Sequence, residues 1–110
     1  MAIRLIVQMA AKPGKLDELV ERFNVRISEV VKEKGCEQYE LYRSTERPDQ
    51  LVLLERWTDE QSLEDHLEMN RQRGSNVSDL RSGDTILERY NICLLYTSAA
   101  ADERSSVDLG

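Results

Sequence analysis

The sequence predicts an α+β fold, a four-stranded antiparallel sheet with both of its helices on one face. Two observations lead there. Four short segments alternate apolar and polar residues, and two others repeat their apolar residues at steps of three and four. The two rhythms also follow one another in the order β-α-β-β-α-β, a doubled unit that is the ferredoxin-like arrangement.

The first strand runs from Ile3 to Met9, with Ile3, Leu5, Val7 and Met9 on one face and Arg4 and Gln8 opposite. Ala11-Lys12-Pro13-Gly14 breaks it. From Lys15 the apolar positions Leu16, Leu19, Val20, Phe23, Ile27, Val30 and Val31 form one helical stripe. Lys32 and Lys34 are expected in the last turn, where cations meet the negative end of the helix dipole, and Gly35 is the expected stop. Cys36 to Arg43 reads as the second strand and Leu51 to Trp57 as the third, joined as a hairpin by the polar loop from Ser44 to Gln50. Thr58 is expected to head the second helix, with Gln61 at capping-box spacing and acidic Asp59 and Glu60 in the first turn. Arg71 to Gly83 reads as a loop or short weak helix anchored by Val77 and Leu80, and Asp84 to Cys93 as the last strand. Residues 1–93 are thus one domain, and 94–110 a C-terminal extension, in which Leu94-Leu95-Tyr96 could prolong the strand across a partner and Thr97 to Gly110 is small, polar and acidic.

Helices on one face leave the other face of the sheet uncovered. Ile6, Val52 and Leu54 carry apolar surface at the parity opposite to Leu5, Leu51 and Leu53, so a second buried face is implied. Its expected cover is another copy of the chain, giving a two-fold homodimer.

Composition narrows the function. Twenty-one acidic against fifteen basic residues give a formal charge of −6, which argues against nucleic acid or an anionic membrane surface as the partner. No apolar run approaches a membrane span, and the N-terminus lacks the pattern of a signal peptide, so a cytoplasmic location is expected. Cys36 and Cys93 read as free thiols, and a single histidine makes a transition-metal site improbable. Cys36 follows a helix C-terminus, which raises a thiol's pKa and suits packing better than nucleophilic chemistry. The glycine-rich loops of nucleotide sites are absent.

The segment ERWTDEQSLEDHLEM, Glu55 to Met69, holds the only tryptophan and the only histidine. Leu51, Leu53, Glu55 and Trp57 share one face of the third strand, and Leu63, His66, Leu67 and Asn70 share one face of the helix that follows. A histidine so placed is often a half-buried spacer, and a tryptophan is more often core than ligand platform. The functional reading is an imidazole that titrates near neutrality and looks into a pocket walled by Trp57.

VQMAAKPGKLDEL, KEKGCEQYELY and LLERWTDEQSLEDHLEM resemble the antibiotic biosynthesis monooxygenase family over about residues 3 to 92. The pattern E-x-W-x(5)-L-x-x-H-L from Glu55 to Leu67 is the most specific part. The resemblance implies a homodimeric ferredoxin-like barrel and, among the family's activities, oxidation of quinols or polyketides without a cofactor, haem degradation, or processing of an autoinducer. The Asn, Trp and His of haem degraders fall at Val7, His66 and Asn76, which disfavours haem breakdown. The polyketide branch shares Trp57, but its pocket Asn and Tyr fall at Leu53 and Leu63. The quinol monooxygenases are most similar, with L-E-x-H-L around His66 and K-E-x-G-C before the second strand; the chain departs from them at Glu68-Met69-Asn70-Arg71.

These readings give His66 as the catalytic base and Trp57, Glu55, Leu53, Leu63 and Asn70 as the substrate-binding set. The substrate is a small aromatic, the co-substrate molecular oxygen, and no cofactor is expected. The alternatives are a binding module for a hydrophobic metabolite and an isomerase-like enzyme on a small phosphorylated ligand held by the segment Arg71 to Arg81.

Overall fold

The computed structural model describes residues 1–75 and 77–93; Asn76 and the extension 94–110 lie outside the described residues. The element order is β1 (Ile3–Ala11), α1 (Leu16–Val30), β2 (Cys36–Arg43), β3 (Gln50–Trp57), α2 (Glu60–Arg73) and β4 (Arg81–Asn91). The strands form one sheet in the order β2-β3-β1-β4, antiparallel throughout. The α+β, ferredoxin-like fold predicted from the residues is therefore the fold of the chain.

Alternation decides which face is core. In β1 every odd position from Ile3 to Ala11 is buried, and in β3 Leu51, Leu53, Glu55 and Trp57 are buried while their neighbours are half-exposed. Register aligns these residues into cross-strand rows. Tyr39, Glu55, Leu5 and Arg89 form one row, and Leu41, Leu53, Val7 and Leu87 the next. Leu16, Leu19, Phe23 and Val30 of α1 and Leu63 of α2 close over that face, completing the core. At roughly 1.5–3 kcal/mol for each fully buried large apolar side chain, this burial is the main force holding the helices on the sheet.

Several local expectations fail for identifiable reasons. Helix α1 stops at Val30, so Lys32 and Lys34 lie beyond it rather than in its last turn. The amides of Lys32 and Glu33 bond back three residues, to Glu29 and Val30, and the tightened chain leaves the helical path before Gly35. Helix α2 is capped by Asp59, whose side chain accepts from the Ser62 amide, and not by Thr58. The Thr58 hydroxyl donates instead to Glu37. The helix runs on to Arg73, and Val77 and Leu80 anchor the turn after it. Strand β4 begins three residues early because Arg81 and Ser82 pair with Ala11 and Ala10, past a register shift that falls between the Gln8–Ile86 and Ala10–Ser82 pairs.

One junction seats the site. The carbonyl of Gly35, before β2, accepts the Thr58 amide at the β3–α2 corner, tying the two halves of the fold together. Gly35 has φ +83°, and a Cβ there would come within 2.1 Å of the Ser62 hydroxyl oxygen. Gly14 also has positive φ but stands in open space. Gly35→Ala is expected to cost roughly 2–5 kcal/mol, strain and overlap together, whereas Gly14→Ala costs only the backbone strain, about 1–2 kcal/mol. Urea denaturation midpoints of the two variants measure the difference.

Candidate functional site

At the centre of the site, His66 of α2 is 2% exposed and packed between two aromatic rings. The indole of Trp57 stacks on the imidazole at a centroid distance of 4.4 Å and 30° between planes. Tyr39 meets it edge-on at 5.5 Å. Both ring nitrogens have partners. Nδ1 lies 2.9 Å from Oε1 of Glu33, and Nε2 lies 3.0 Å from the side-chain amide nitrogen of Asn70, one helical turn on.

These contacts fix the tautomer. Glu33 is itself in ionic contact with Arg73, Nη1 to Oε2 at 2.9 Å, so it serves as an acceptor and Nδ1 carries the proton. The Asn70 carbonyl oxygen faces Arg73 and Arg26, at 3.4 and 3.5 Å, which turns the amide NH2 toward Nε2. Nε2 then accepts, and the ring is neutral. Burial holds the His66 pKa below the ordinary histidine value, against the opposing pull of Glu33.

Glu55 is the second ionisable group. It lies 5% exposed on the core face of β3, between Tyr39 and Leu5 in register. Its Oε1 accepts the Trp57 indole N–H at 3.0 Å and stands 3.8 Å from Nε2 of His66. Among the described residues its Oε2 makes no hydrogen bond. Desolvation pushes its pKa up to about 7, with the charge of Glu33 adding to the rise and the indole hydrogen bond opposing it. Burial likewise lifts the Tyr39 hydroxyl above the ordinary tyrosine range, and the Cys36 thiol to about 11.

Beside this network is a cavity of about 340 Å³, near the lower end of the roughly 300–1,000 Å³ of small-molecule sites. Leu5, Val7, Met9, Phe23, Leu53 and Val77 supply apolar wall; Tyr39, Glu55, His66 and Asn70 supply polar groups; Arg26, Arg71 and Arg81 also line it. Of the residues expected at the site, Glu55, Leu53, His66 and Asn70 therefore line one cavity. Trp57 and Leu63 do not. The indole is fully buried behind the imidazole and bound to Glu55, and Leu63, a turn before His66, packs into the core. The hollow lies between the sheet and helices of one chain, and Trp57 stands behind the imidazole and does not wall it.

Glu33, Tyr39, Arg26 and Arg73 were missed by the sequence reading. Glu33 had a signal in KEKGC, an acid just before the glycine stop, but nothing local says that its carboxylate reaches a histidine 33 residues away. Among the described residues no group of three or more His, Cys, Asp or Glu side chains could hold a metal ion.

Comparison with known proteins gives the family and the fold. Residues 2–73 match the sequence profile of the family described as antibiotic biosynthesis monooxygenase. The chain belongs to that family. Among solved structures, a conserved protein from Methanosarcina mazei Go1 is 31% identical, with 82% of this chain and 91% of that one covered and a TM-score of 0.71. A Caulobacter crescentus CB15 protein assigned by name to the antibiotic biosynthesis monooxygenases reaches a TM-score of 0.77 at 21% identity, covering 84% and 91%. One similarly named, from Nitrosomonas europaea, gives 0.72 at 18% identity, covering 81% and 88%. At those identities the last two show the fold alone. No curated protein matches the sequence.

The raised pKa of Glu55 makes stability depend on pH with a definite sign. The group is neutral in the folded chain below about pH 7 but ionised in the unfolded chain above its ordinary range. Its contribution is thus fully present at acid pH and lost as pH rises through 7, by roughly 3 kcal/mol. His66, with its pKa lowered, acts in the opposite direction and loses stability as pH falls. Glu33, Tyr39 and Trp57 face Glu55 unchanged in Glu55→Gln, so that variant isolates the carboxyl. Urea unfolding of the two proteins is expected to show Glu55→Gln gaining on the parent between pH 5 and 8; parallel curves would contradict the assigned burial cost.

Proposed function

We propose that this chain is a cofactor-independent monooxygenase that oxidises a small electron-rich aromatic, of the quinol type, with molecular oxygen. Family membership supports a monooxygenase activity of this broad kind. The observation that carries the finer reading is an apolar cavity with one desolvated carboxyl, Glu55, in contact with a neutral imidazole whose tautomer is fixed.

Triplet oxygen reacts slowly with closed-shell molecules, but a phenolate can give it one electron directly. The protein then has to remove the phenol proton and keep the ring beside oxygen in a dry cavity. Glu55 is the better placed first acceptor, because its Oε2 is free among the described residues while both nitrogens of His66 are occupied. A pKa near 7 suits a general base at neutral pH. Nε2 of His66 lies 3.8 Å from Glu55, with Nδ1 backed by Glu33, and can take the proton on from the carboxyl. Trp57 holds both from behind. In the overall reaction a quinol and O2 give a hydroxyquinone and water. The substrate supplies all four electrons, two from quinol oxidation and two from a ring C–H that becomes C–OH.

The protein works as a homodimer in this reading. Ile6, Val52 and Leu54 lie half-exposed on the sheet face opposite the helices, with Tyr42, Ile86 and Tyr90 exposed around them. Size-exclusion chromatography with light scattering at micromolar concentration is expected to give twice the chain mass.

The catalytic proposal is tested with a panel of naphthoquinols in an oxygen electrode. Glu55→Gln and His66→Ala are each expected to slow enzyme-dependent oxygen uptake by roughly 10²- to 10⁴-fold at neutral pH. Rates unchanged in Glu55→Gln would remove the base. Ligand binding without oxygen uptake in the parent protein would instead indicate a module that binds a hydrophobic metabolite.

A further inference from the structure

The cavity's polar groups are not spread evenly. The acid, Glu55, belongs to β3, whereas three arginines come from three other elements: Arg26 from α1, Arg71 from the end of α2 and Arg81 from the start of β4. Among the described residues Glu55 is the only acidic one that lines the cavity with them. A chain with a formal charge of −6 thus gathers three cations around one hollow.

The partners of these arginines sharpen the point. Arg71 is paired with Glu68 on the same helix, in an exposed ion pair. Arg26 is largely buried, its side chain 15% exposed, and it bonds to neutral oxygens: the Asn70 side-chain carbonyl and the Gly74 backbone carbonyl, at 3.5 and 3.3 Å. The nearest carboxylate to it, Glu29, is 4.0 Å away and well exposed. Arg81 donates to the Thr85 hydroxyl at 3.1 Å, and no ion pair is formed by it among the described residues. A guanidinium offers five donors, so Arg26 and Arg81 keep both charge and unused N–H groups beside the cavity. Neutral partners orient a cation without cancelling it, and partial burial strengthens its field.

We propose that the cavity takes an aromatic ligand bearing an anionic group, a carboxylate or a phosphate ester, with the anion held by Arg26 and Arg81 and the ring's hydroxyl end directed to Glu55. The proposal rests on the oxygenase reading for the identity of the reacting end; the anion site stands on the arginines alone. A ligand of this shape spans the cavity from cation to carboxyl, which fixes which end of the ring meets the base.

The test measures binding by calorimetry under nitrogen, with hydroquinone against 2,5-dihydroxybenzoate and phenol against phenyl phosphate. Each anionic probe is expected to bind about ten-fold or more tightly than its neutral counterpart, the scale of one charge-assisted hydrogen bond. The preference should shrink with added salt and fall most of the way to unity in Arg81→Gln. Arg26→Gln should act alike, and its thermal melting shows whether it folds; Arg43→Gln, at the far end of β2, should keep the preference. A stronger preference for phenyl phosphate identifies a phosphate ester, and one for 2,5-dihydroxybenzoate a carboxylate. Equal binding within each pair, no binding of any probe at millimolar concentration, or a preference that survives Arg81→Gln overturns the proposal. Oxygen uptake separates it from the reading it rests on. Selective binding of the anionic quinol with no oxygen consumed sinks the oxygenase and leaves the anion site, while equal kcat/KM for the two quinols does the reverse.

Discussion

The site depends on one imidazole kept neutral and immobile inside the fold. Ring stacking against Trp57 and edge contact with Tyr39 set the plane of His66, and Glu33 and Asn70 set its rotation within that plane. Burial alone would leave a ring with two unsatisfied nitrogens, at a cost of roughly 1–3 kcal/mol for each. The partners remove that cost and at the same time settle which nitrogen holds the proton. Glu55 then meets an acceptor nitrogen rather than a cation, so desolvation raises its pKa with only the indole hydrogen bond opposing it.

That arrangement follows from the fold more than from any motif. A ferredoxin-like sheet covered on one side offers a single core face, and strict alternation along β3 puts Glu55 on it together with Leu51, Leu53 and Trp57. A carboxyl side chain in a row of core residues can persist only with hydrogen bonds, and the indole N–H two residues on supplies one. Tryptophan here is more than bulk: it is the donor that makes a buried glutamate tolerable and the surface on which the imidazole rests.

Much of this was legible in the sequence, and the limits are physical. Periods of two and of three to four place β1, α1, β2 and β3 within a few residues, because burial of one face imposes them. The same rule puts Glu55, Leu53, His66 and Asn70 toward the core. Helix ends were read less well. Asp59 outcompetes Thr58 as a cap because Glu37, distant in sequence, takes the threonine hydroxyl, and α1 ends early because the turn into Gly35 begins at Lys32. Trp57 was placed on the correct face, but alternation cannot say how deep a side chain lies, and the indole sits behind the histidine instead of beside the cavity. Glu33, Arg26 and Arg73 act through contacts across the fold, which no local rhythm encodes.

The contact between Glu33 and His66 joins residues 33 apart in sequence, on opposite sides of the tie between Gly35 and Thr58. Neither half of the doubled unit contains the whole proton network, and neither a lone hairpin nor a lone helix can assemble it. A chain that has collapsed with its helices formed but its corner unlatched would have most of its secondary structure and none of its chemistry. Assembly of the network therefore requires the two halves to be packed on one another, and separating them parts Glu33 from His66 even where strands and helices survive.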